Sequence, residues 1–260
     1  MGCQCISIAG NQYYLPLVIL PWMHHSRSGR GVTSGNFVLA LSVLSLLWSL
    51  AAATPTSFAT APPGCGTLVT TSTTLAADVG PCPHNGLIIG ASNVVLNCAG
   101  HSITGQGAQI GISVRQVSAK VVVENCRVSG FAVGIETHST GGTFTGNTVT
   151  GNVNGFYLKG AQSTSLSGNT ATSNTNAGIL LYRADGNSLS GNTANSNGFG
   201  FYARNGSGTN TFSSNTADSN TNYGYYDPTY HRLGDVYHTD ECSKNILGGS
   251  NPSGLCAPIT

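Results

Sequence analysis

The amino-acid sequence predicts an all-β chain wound as a parallel solenoid of about seven coils. Three observations predict it. Near-identical tripeptides stand at Gly146-Asn147-Thr148, Gly168-Asn169-Thr170, Gly191-Asn192-Thr193 and Ser214-Asn215-Thr216, at steps of 22, 23 and 23 residues. A second series runs in phase with the first, a glycine followed by a large apolar residue at Gly111-Ile112, Gly134-Ile135, Gly155-Phe156, Gly178-Ile179, Gly200-Phe201 and Gly224-Tyr225. Beyond residue 59 no segment sustains a 3.6-residue apolar period, so a helical repeat is excluded. A fixed period of this size makes each repeat one structural turn, stacked on the last.

Aligned by the period, each turn reads as three short strands joined at corners rich in Gly, Asn and Ser. Alternate side chains of a strand face opposite ways. The Gly-apolar strand therefore turns Ile112, Val114, Ile135, Phe156, Leu158, Ile179, Leu181, Phe201 and Ala203 inward. A second inward column holds Phe144, Leu166, Leu189 and Phe212, and a third holds Ile103, Val128, Val149, Ala171, Ala194 and Ala217. Asn147, Asn169, Asn192 and Asn215 fall at one corner of successive turns, with His101 and Cys126 in the equivalent place earlier. At the strand spacing of about 4.8 Å, such amides can bond one another in a ladder. Asn also tolerates the left-handed backbone that a corner needs. These residues are expected to be structural.

The ends depart from the repeat. Segment 60–86 carries Cys65, Cys82, Pro81 and Pro83, and segment 227–260 loses the tripeptide and gains Cys242, Pro252 and Cys256. Both are expected to be caps around the coils of 87–226, since an uncovered solenoid end presents unpaired strand groups. Segment 1–59 reads as a leader. Arg27 and Arg30 precede an apolar run from Phe37 to Ala53, and Ser57-Phe58-Ala59 suits signal peptidase, with cleavage after Ala59. Met23 would open an ordinary signal peptide over 23–59, which leaves 1–22 as an over-extended start. A retained anchor is the alternative, and the run is near the lower limit for spanning. The expectation is a secreted or periplasmic protein with no membrane contact once the signal is removed.

Beyond the leader six cysteines remain, Cys65, Cys82, Cys98, Cys126, Cys242 and Cys256, an even number in an exported chain. That supports disulfides. Proximity favours Cys65–Cys82 and Cys242–Cys256, and Cys98 and Cys126 can meet on successive turns, although six cysteines allow 15 pairings. A metal site lacks a tight Cys-x-x-Cys or Cys/His cluster, and His84, His101, His138, His231 and His238 are dispersed, so no metal and no cofactor are expected. Charged residues make up only 7% of the chain and the formal net charge is +1, which gives no footprint for nucleic acid.

Stretches at both ends resemble a known group. Cys65-Gly66-Thr67, Leu96-Asn97-Cys98-Ala99-Gly100-His101-Ser102-Ile103-Thr104-Gly105 and Val123-Glu124-Asn125-Cys126-Arg127-Val128 are similar to the first turns of exported right-handed parallel β-helix repeat proteins of the pectin-lyase-like superfamily. Asn251-Pro252-Ser253-Gly254-Leu255-Cys256 resembles a recurrent C-terminal signature of the same group. The resemblance covers residues 65–256. It implies an all-β, right-handed parallel β-helix with N- and C-terminal disulfide caps. The superfamily holds polysaccharide lyases, hydrolases, epimerases, tailspikes, adhesins and a periplasmic protein of copper-site assembly, so the fold alone selects no activity.

The outward positions of the Gly-apolar strand supply the candidate site. One row reads Ser113, Glu136, Tyr157, Leu180, Tyr202 and Tyr226. Just beyond it lie Arg115, His138, Lys159, Tyr182 with Arg183, and Arg204. Rings suit the apolar faces of sugars, and guanidinium or ammonium groups suit carboxylates and sulfates. The expected substrate-binding set is Arg115, Glu136, Tyr157, Lys159, Tyr182, Arg183, Tyr202, Arg204 and Tyr226, and the expected partner is an extracellular polysaccharide or cell-surface glycan, anionic ones included. A non-catalytic structural or adhesive protein is one alternative. A lyase or uronate epimerase is another. It would need a cation to neutralise a carboxylate and a base to remove a ring proton, and His138, Tyr157 and Lys159 are the candidates. Tyr223-Gly224-Tyr225-Tyr226-Asp227-Pro228 is similar to the Tyr-Gly-Phe-Asp-Pro-His motif of alginate epimerases. It departs from that motif by an extra Tyr and by placing His231 three residues past Pro228. A hydrolase would need paired acids, and Asp185, Asp218, Asp227, Asp235, Asp240 and Glu241 form no such pair in a repeat strand.

Overall fold

The computed structural model describes residues 63–116, 119–228 and 234–258, together with two short strands, Cys5–Ile8 and Asn11–Tyr14, that pair antiparallel. The chain divides into two units, Met1–Ala59 and Thr60–Thr260. Apart from the two short strands, the expected leader, its apolar run and its cleavage site lie outside the described residues. Among the described residues no helix is long and apolar enough to cross a membrane.

The second unit is a parallel solenoid. Its three sheets hold eight, nine and nine strands among the described residues. The first sheet collects strands such as Thr143–Thr145 and Ser165–Ser167, the second Thr148–Thr150 and Thr170–Thr172, and the third Asn154–Lys159 and Ala177–Tyr182. Segments 60–86 and 227–260 are wound into the sheets as well: Thr67–Val69, Thr73–Thr74 and Val79–Cys82 begin them, and Val236–His238, Ala257–Pro258 and Gly248–Asn251 end them. That is why the turns number about eight where the repeat alone counted seven. Phe144 pairs with Leu166, Ile135 with Phe156 and Val149 with Ala171, so residues one period apart are lateral neighbours.

The inward columns form the core. Ile112, Ile135, Phe156, Ile179 and Phe201 on the third sheet and Phe144, Leu166, Leu189 and Phe212 on the first are at most 2% exposed. They face a column of small residues on the second sheet, Ala171, Ala194 and Ala217. Large opposite small lets the three walls interdigitate at interior density. Towards the C-terminal end the core becomes aromatic, with Phe201 stacked on Tyr225 at 4.7 Å and Phe212 on Tyr237 at 4.5 Å.

The corners explain the tripeptide. At each one a residue with positive φ turns the chain, and the next residue points inward. Gly146, Gly168, Gly191 and Ser214 precede Asn147, Asn169, Asn192 and Asn215. Asn147 donates from Nδ2 to Asn169 Oδ1 at 3.0 Å, Asn169 to Asn192 at 2.9 Å and Asn192 to Asn215 at 2.9 Å. Each amide also donates to a main-chain carbonyl of the preceding coil, as Asn169 does to Phe144 O at 2.9 Å. Each Oδ1 accepts a backbone N–H in addition.

Two further ladders stand at the other corners. Asn152, Asn174, Asn197, Asn220 and Asn245 form one, and Thr164, Asn187, Asn210 and Asp235 the other. The first of these explains the recurrent glycine. A Cβ at Gly178 would lie 2.7 Å from Asn197 Nδ2 and 2.9 Å from Gly200 O, and one at Gly200 would lie 2.5 Å from Gly224 O. Two ladders end in carboxylates. Asp240 Oδ1 accepts Asn215 N and Nδ2 at 2.8 and 2.9 Å, and Asp235 Oδ1 accepts Asn210 N and Nδ2 at 2.7 and 3.0 Å. Disulfides Cys65–Cys82, Cys98–Cys126 and Cys242–Cys256 tie the first coil, two successive early coils and the last coil.

Candidate functional site

Two of the three outer faces are led by hydroxyl side chains, with Glu124 the acid of the first and Arg127, Asp218 and Glu241 the charges of the second. The first sheet shows Thr143, Thr145, Ser165, Ser167, Ser188, Ser190, Thr211 and Ser213, and the second is led by Thr148, Thr150, Thr170, Thr172, Thr193 and Thr216. The third sheet differs, and it differs where the sequence placed the candidates. The register Glu136 to Tyr157 to Leu180 to Tyr202 to Tyr226 is one continuous row. The register Lys159 to Tyr182 to Arg204 forms a second row beside it. His138 follows Thr137, and Arg115 follows Val114, which extends that second row towards the N-terminal coils.

Within the rows the side chains interlock. The guanidinium of Arg204 sits 5.4 Å from the Tyr182 ring centre and 5.5 Å from that of Tyr202. Arg183, left-handed at φ 51° just past the strand, places its guanidinium 5.4 Å from the same Tyr182 ring. Tyr157 meets Tyr182 edge-on at 6.4 Å. A cation over a tyrosine face is worth about 0.5–1 kcal/mol when exposed, so these contacts orient the guanidinium groups without consuming their hydrogen-bonding edges. Leu180, between Tyr157 and Tyr202 in the row, is 2% exposed and floors the ribbon. Lys159, Arg183 and Arg115 are exposed, and Tyr182, Tyr202, Tyr226 and Arg204 are half-buried.

At the N-terminal side of the ribbon, His138 Nε2 contacts Glu136 Oε1 at 2.5 Å. In the tautomer where Nε2 carries the proton, Nδ1 is the basic nitrogen. Burial pushes the Tyr157 phenol above its ordinary value; the Arg204 charge opposes this, while Glu136 and Tyr182 add to it. Tyr157 therefore stands as a protonated phenol, suited to donating a hydrogen bond and unsuited to acting as a base. Of the three catalytic candidates, His138 and Lys159 are neighbours in the register and Tyr157 lies in the adjoining row.

The segment similar to the epimerase motif turns Tyr225 and Asp227 into the core and leaves Tyr223 and Tyr226 half-buried on the outer face. Tyr225 is fully buried, and its hydroxyl lies 3.4 Å from Asp240 Oδ1. Asp227 is buried and accepts from Tyr237 Oη at 3.1 Å. His231 lies outside the described residues. Asp240 and Glu241 face opposite ways, one buried and one exposed. Two residues of the third sheet escaped the sequence reading. Phe199 packs on Tyr202 at 4.8 Å and on Tyr226 at 5.3 Å, and Tyr223 stacks on Tyr226 at 5.6 Å. Their signal was an aromatic directly before the repeat glycine, at Phe199-Gly200 and Tyr223-Gly224. Among the described residues no three His, Cys, Asp or Glu side chains converge as a metal site would require.

Solved structures share this fold. The periplasmic alginate epimerase AlgG aligns with a TM-score of 0.55 at 19% identity, over 68% of this chain and 48% of that one. The alginate lyase from Paenibacillus sp. str. FPU-7 aligns with a TM-score of 0.52 at 12% identity, over 72% of this chain and 71% of that one. The chain thus spans about half the length of the epimerase. No curated protein matches the sequence. A family model, periplasmic copper-binding protein (NosD), matches residues 65–254, nearly all of the described solenoid. The chain belongs to the NosD family of parallel β-helix proteins.

Proposed function

We propose that this protein is an extracytoplasmic solenoid that holds a polysaccharide along the outer face of its third sheet. Sugar rings lie against Tyr157, Tyr182, Tyr202 and Tyr226, and Lys159, Arg183 and Arg204 take carboxylates or sulfates of the chain. The observation that carries this reading is the Arg204 guanidinium held against both the Tyr182 and Tyr202 rings, a cation oriented by aromatics on the outer face where rings and cations lie together. Two proteins of the same fold act on alginate by name, which supports a polyuronate as the partner. Three disulfides and a family described as periplasmic support the location, as does the leader read in residues 23–59.

The family description names copper. The described residues of this chain do not fit a copper centre. All six cysteines of the solenoid are in disulfides, both methionines lie outside the described residues, and His84, His101, His138 and His238 do not converge. Soft or imidazole donors are what such an ion selects, and no chemistry is assigned here through it.

Binding to alginate, pectate, a sulfated glycosaminoglycan and a neutral glucan tests the proposal. The anionic polymers are expected to bind, more weakly as salt rises, and Arg204→Ala is expected to lower that affinity about tenfold or more. Equal binding of wild type and Arg204→Ala, or binding of none, contradicts it and leaves a structural role.

A second reading rests on the contact of Glu136 with His138 beside Lys159. On a uronate, His138 or Lys159 would take the proton next to the carboxylate. The freed electron pair would form the ring double bond, the glycosidic C–O bond would break, and the protonated Tyr157 would supply the leaving oxygen with its proton. Growth of double-bond absorbance on polyuronate that His138→Ala or Lys159→Ala abolishes is its signature. Binding without turnover rules it out.

A further inference from the structure

The C-terminal half of the third sheet carries a second feature that the charged rows do not account for. Phe199, Tyr202, Tyr223 and Tyr226 form a closed set of ring contacts: 4.8 Å for Phe199–Tyr202, 5.3 Å for Phe199–Tyr226, 5.1 Å for Tyr202–Tyr226 and 5.6 Å for Tyr223–Tyr226. All four are half-buried. Aromatic side chains that serve only the core lie inside this solenoid, as Phe201 and Tyr225 do, directly beneath. The outer four lie apart from that core, and half-buried rings gathered on one outer face present a stacking surface.

The surroundings define what it takes. The register neighbours of the cluster are uncharged: Ala177 beside Phe199, Leu180 beside Tyr202, Gly248 beside Tyr223 and Asn251 beside Tyr226. Gly248 leaves the Tyr223 ring open on its C-terminal side, where a Cβ would sit 3.5 Å from that ring. The patch is continuous with the cationic part of the ribbon, since Tyr202 belongs to both and carries Arg204 on its ring.

We propose that Phe199, Tyr202, Tyr223 and Tyr226 form an aromatic subsite, adjoining the cationic rows at Tyr202, that stacks the apolar face of a sugar ring in the same glycan chain whose carboxylates those rows hold. From the strand of Lys159 to the strand of Tyr226 is three strand spacings, about 14 Å. The glycan therefore runs across the strands, parallel to the solenoid axis, and has to be longer than a disaccharide to reach from Lys159 to Tyr226. The charged end of the ribbon selects for anionic sugars, and the aromatic end accepts a ring of either charge. This inference rests on the polysaccharide reading above.

Calorimetric titration with a uronate dimer and a uronate hexamer tests it, on wild type, Phe199→Ala/Tyr223→Ala, Phe199→Leu/Tyr223→Leu and Arg204→Ala. The leucine variant keeps apolar bulk where the alanine variant fails to fold. Loss of the rings is expected to leave dimer binding as in wild type and to weaken hexamer binding about tenfold, the size of a stacking contact. Arg204→Ala is expected to weaken both ligands. Hexamer affinity unchanged in the folded leucine variant overturns the subsite and leaves the polysaccharide reading standing. A wild type that binds neither ligand overturns both.

Discussion

Replacing Asn169 by alanine should unlock one rung of the solenoid. Its side chain donates to Asn192 Oδ1 and Phe144 O, both at 2.9 Å, and accepts from Asn147 N and Nδ2, both at 3.0 Å. Asn169 is 1% exposed, so water does not replace these partners. Truncation orphans the Asn147 main-chain N–H and one Asn147 amide hydrogen, and takes from the Phe144 carbonyl its side-chain partner. A buried polar group left unpaired costs about 1–3 kcal/mol, and partial collapse recovers some of it, so the expected loss for two such groups is about 2–4 kcal/mol. Asn192 Oδ1 keeps the Asn169 backbone donor at 3.0 Å and adds nothing to the sum. Urea titration followed by circular dichroism measures the effect. Thr172→Ala on the outer face of the second sheet, which loses only a 3.4 Å hydroxyl contact, is the control and should change stability by less than about 0.5 kcal/mol. A loss below about 1 kcal/mol for Asn169→Ala would refute the ladder as a structural support.

Further outcomes follow from the same coordinates. Gly178→Ala forces a methyl group against Asn197 Nδ2 and Gly200 O, and should lower stability by about 1–3 kcal/mol in the same titration. Removing the Cys242–Cys256 bond by a double serine substitution opens a 14-residue separation and should cost about 2–4 kcal/mol, read as a lower melting temperature that reductant no longer changes at that site. Burial pushes the Asp235 carboxyl up to about 7, with the facing Asp227 charge adding to the rise and the Asn210 donors opposing it. Between the ordinary aspartate value and about 7 only the folded state holds that proton, so stability falls as pH rises through this window and levels off above it. Melting temperatures from pH 4 to 8 should show that fall in wild type and a flatter line in Asp235→Asn; an increase across the window would contradict the assignment.

The periodic part of this structure was legible because a parallel solenoid converts sequence period into lateral contact. Ile112, Ile135 and Phe156 could be aligned by eye, and they pair. The Gly-Asn corner at Asn147 was readable for the same reason. The other two ladders were not read, although Ser173-Asn174, Ser196-Asn197 and Ser219-Asn220 repeat the same grammar of a left-handed residue followed by an inward amide. Mixed residues at the left-handed position hid them: Gly151 and Gly186 alternate there with Ser173, Ser196, Ser219 and Thr209, so no constant tripeptide marks either ladder. The carboxylates that end two ladders were hidden more deeply. Asp235 and Asp240 read as available acids, and only the register shows that each is a final rung whose Oδ1 accepts the main-chain and side-chain N–H of the asparagine before it. Among the site residues, strand parity gave the row of Tyr157, Tyr202 and Tyr226. Phe199 and Tyr223 precede the glycine, where the strand leaves the corner, and strict alternation did not place them outside. Nor did it show that His138 reaches back two residues to Glu136.

The central claim is that one of three faces meets the glycan. Hydroxyl-radical footprinting with and without a polyuronate reads it directly, because tyrosine and phenylalanine rings are among the side chains it modifies readily. Protection confined to Tyr157, Tyr182, Tyr202 and Tyr226, together with Phe199 and Tyr223, is the expected result. The half-buried Tyr237 at the C-terminal end of the first sheet should stay unchanged. Unchanged labelling of the third-sheet rings under saturating polymer, or equal protection of Tyr237, would contradict the account.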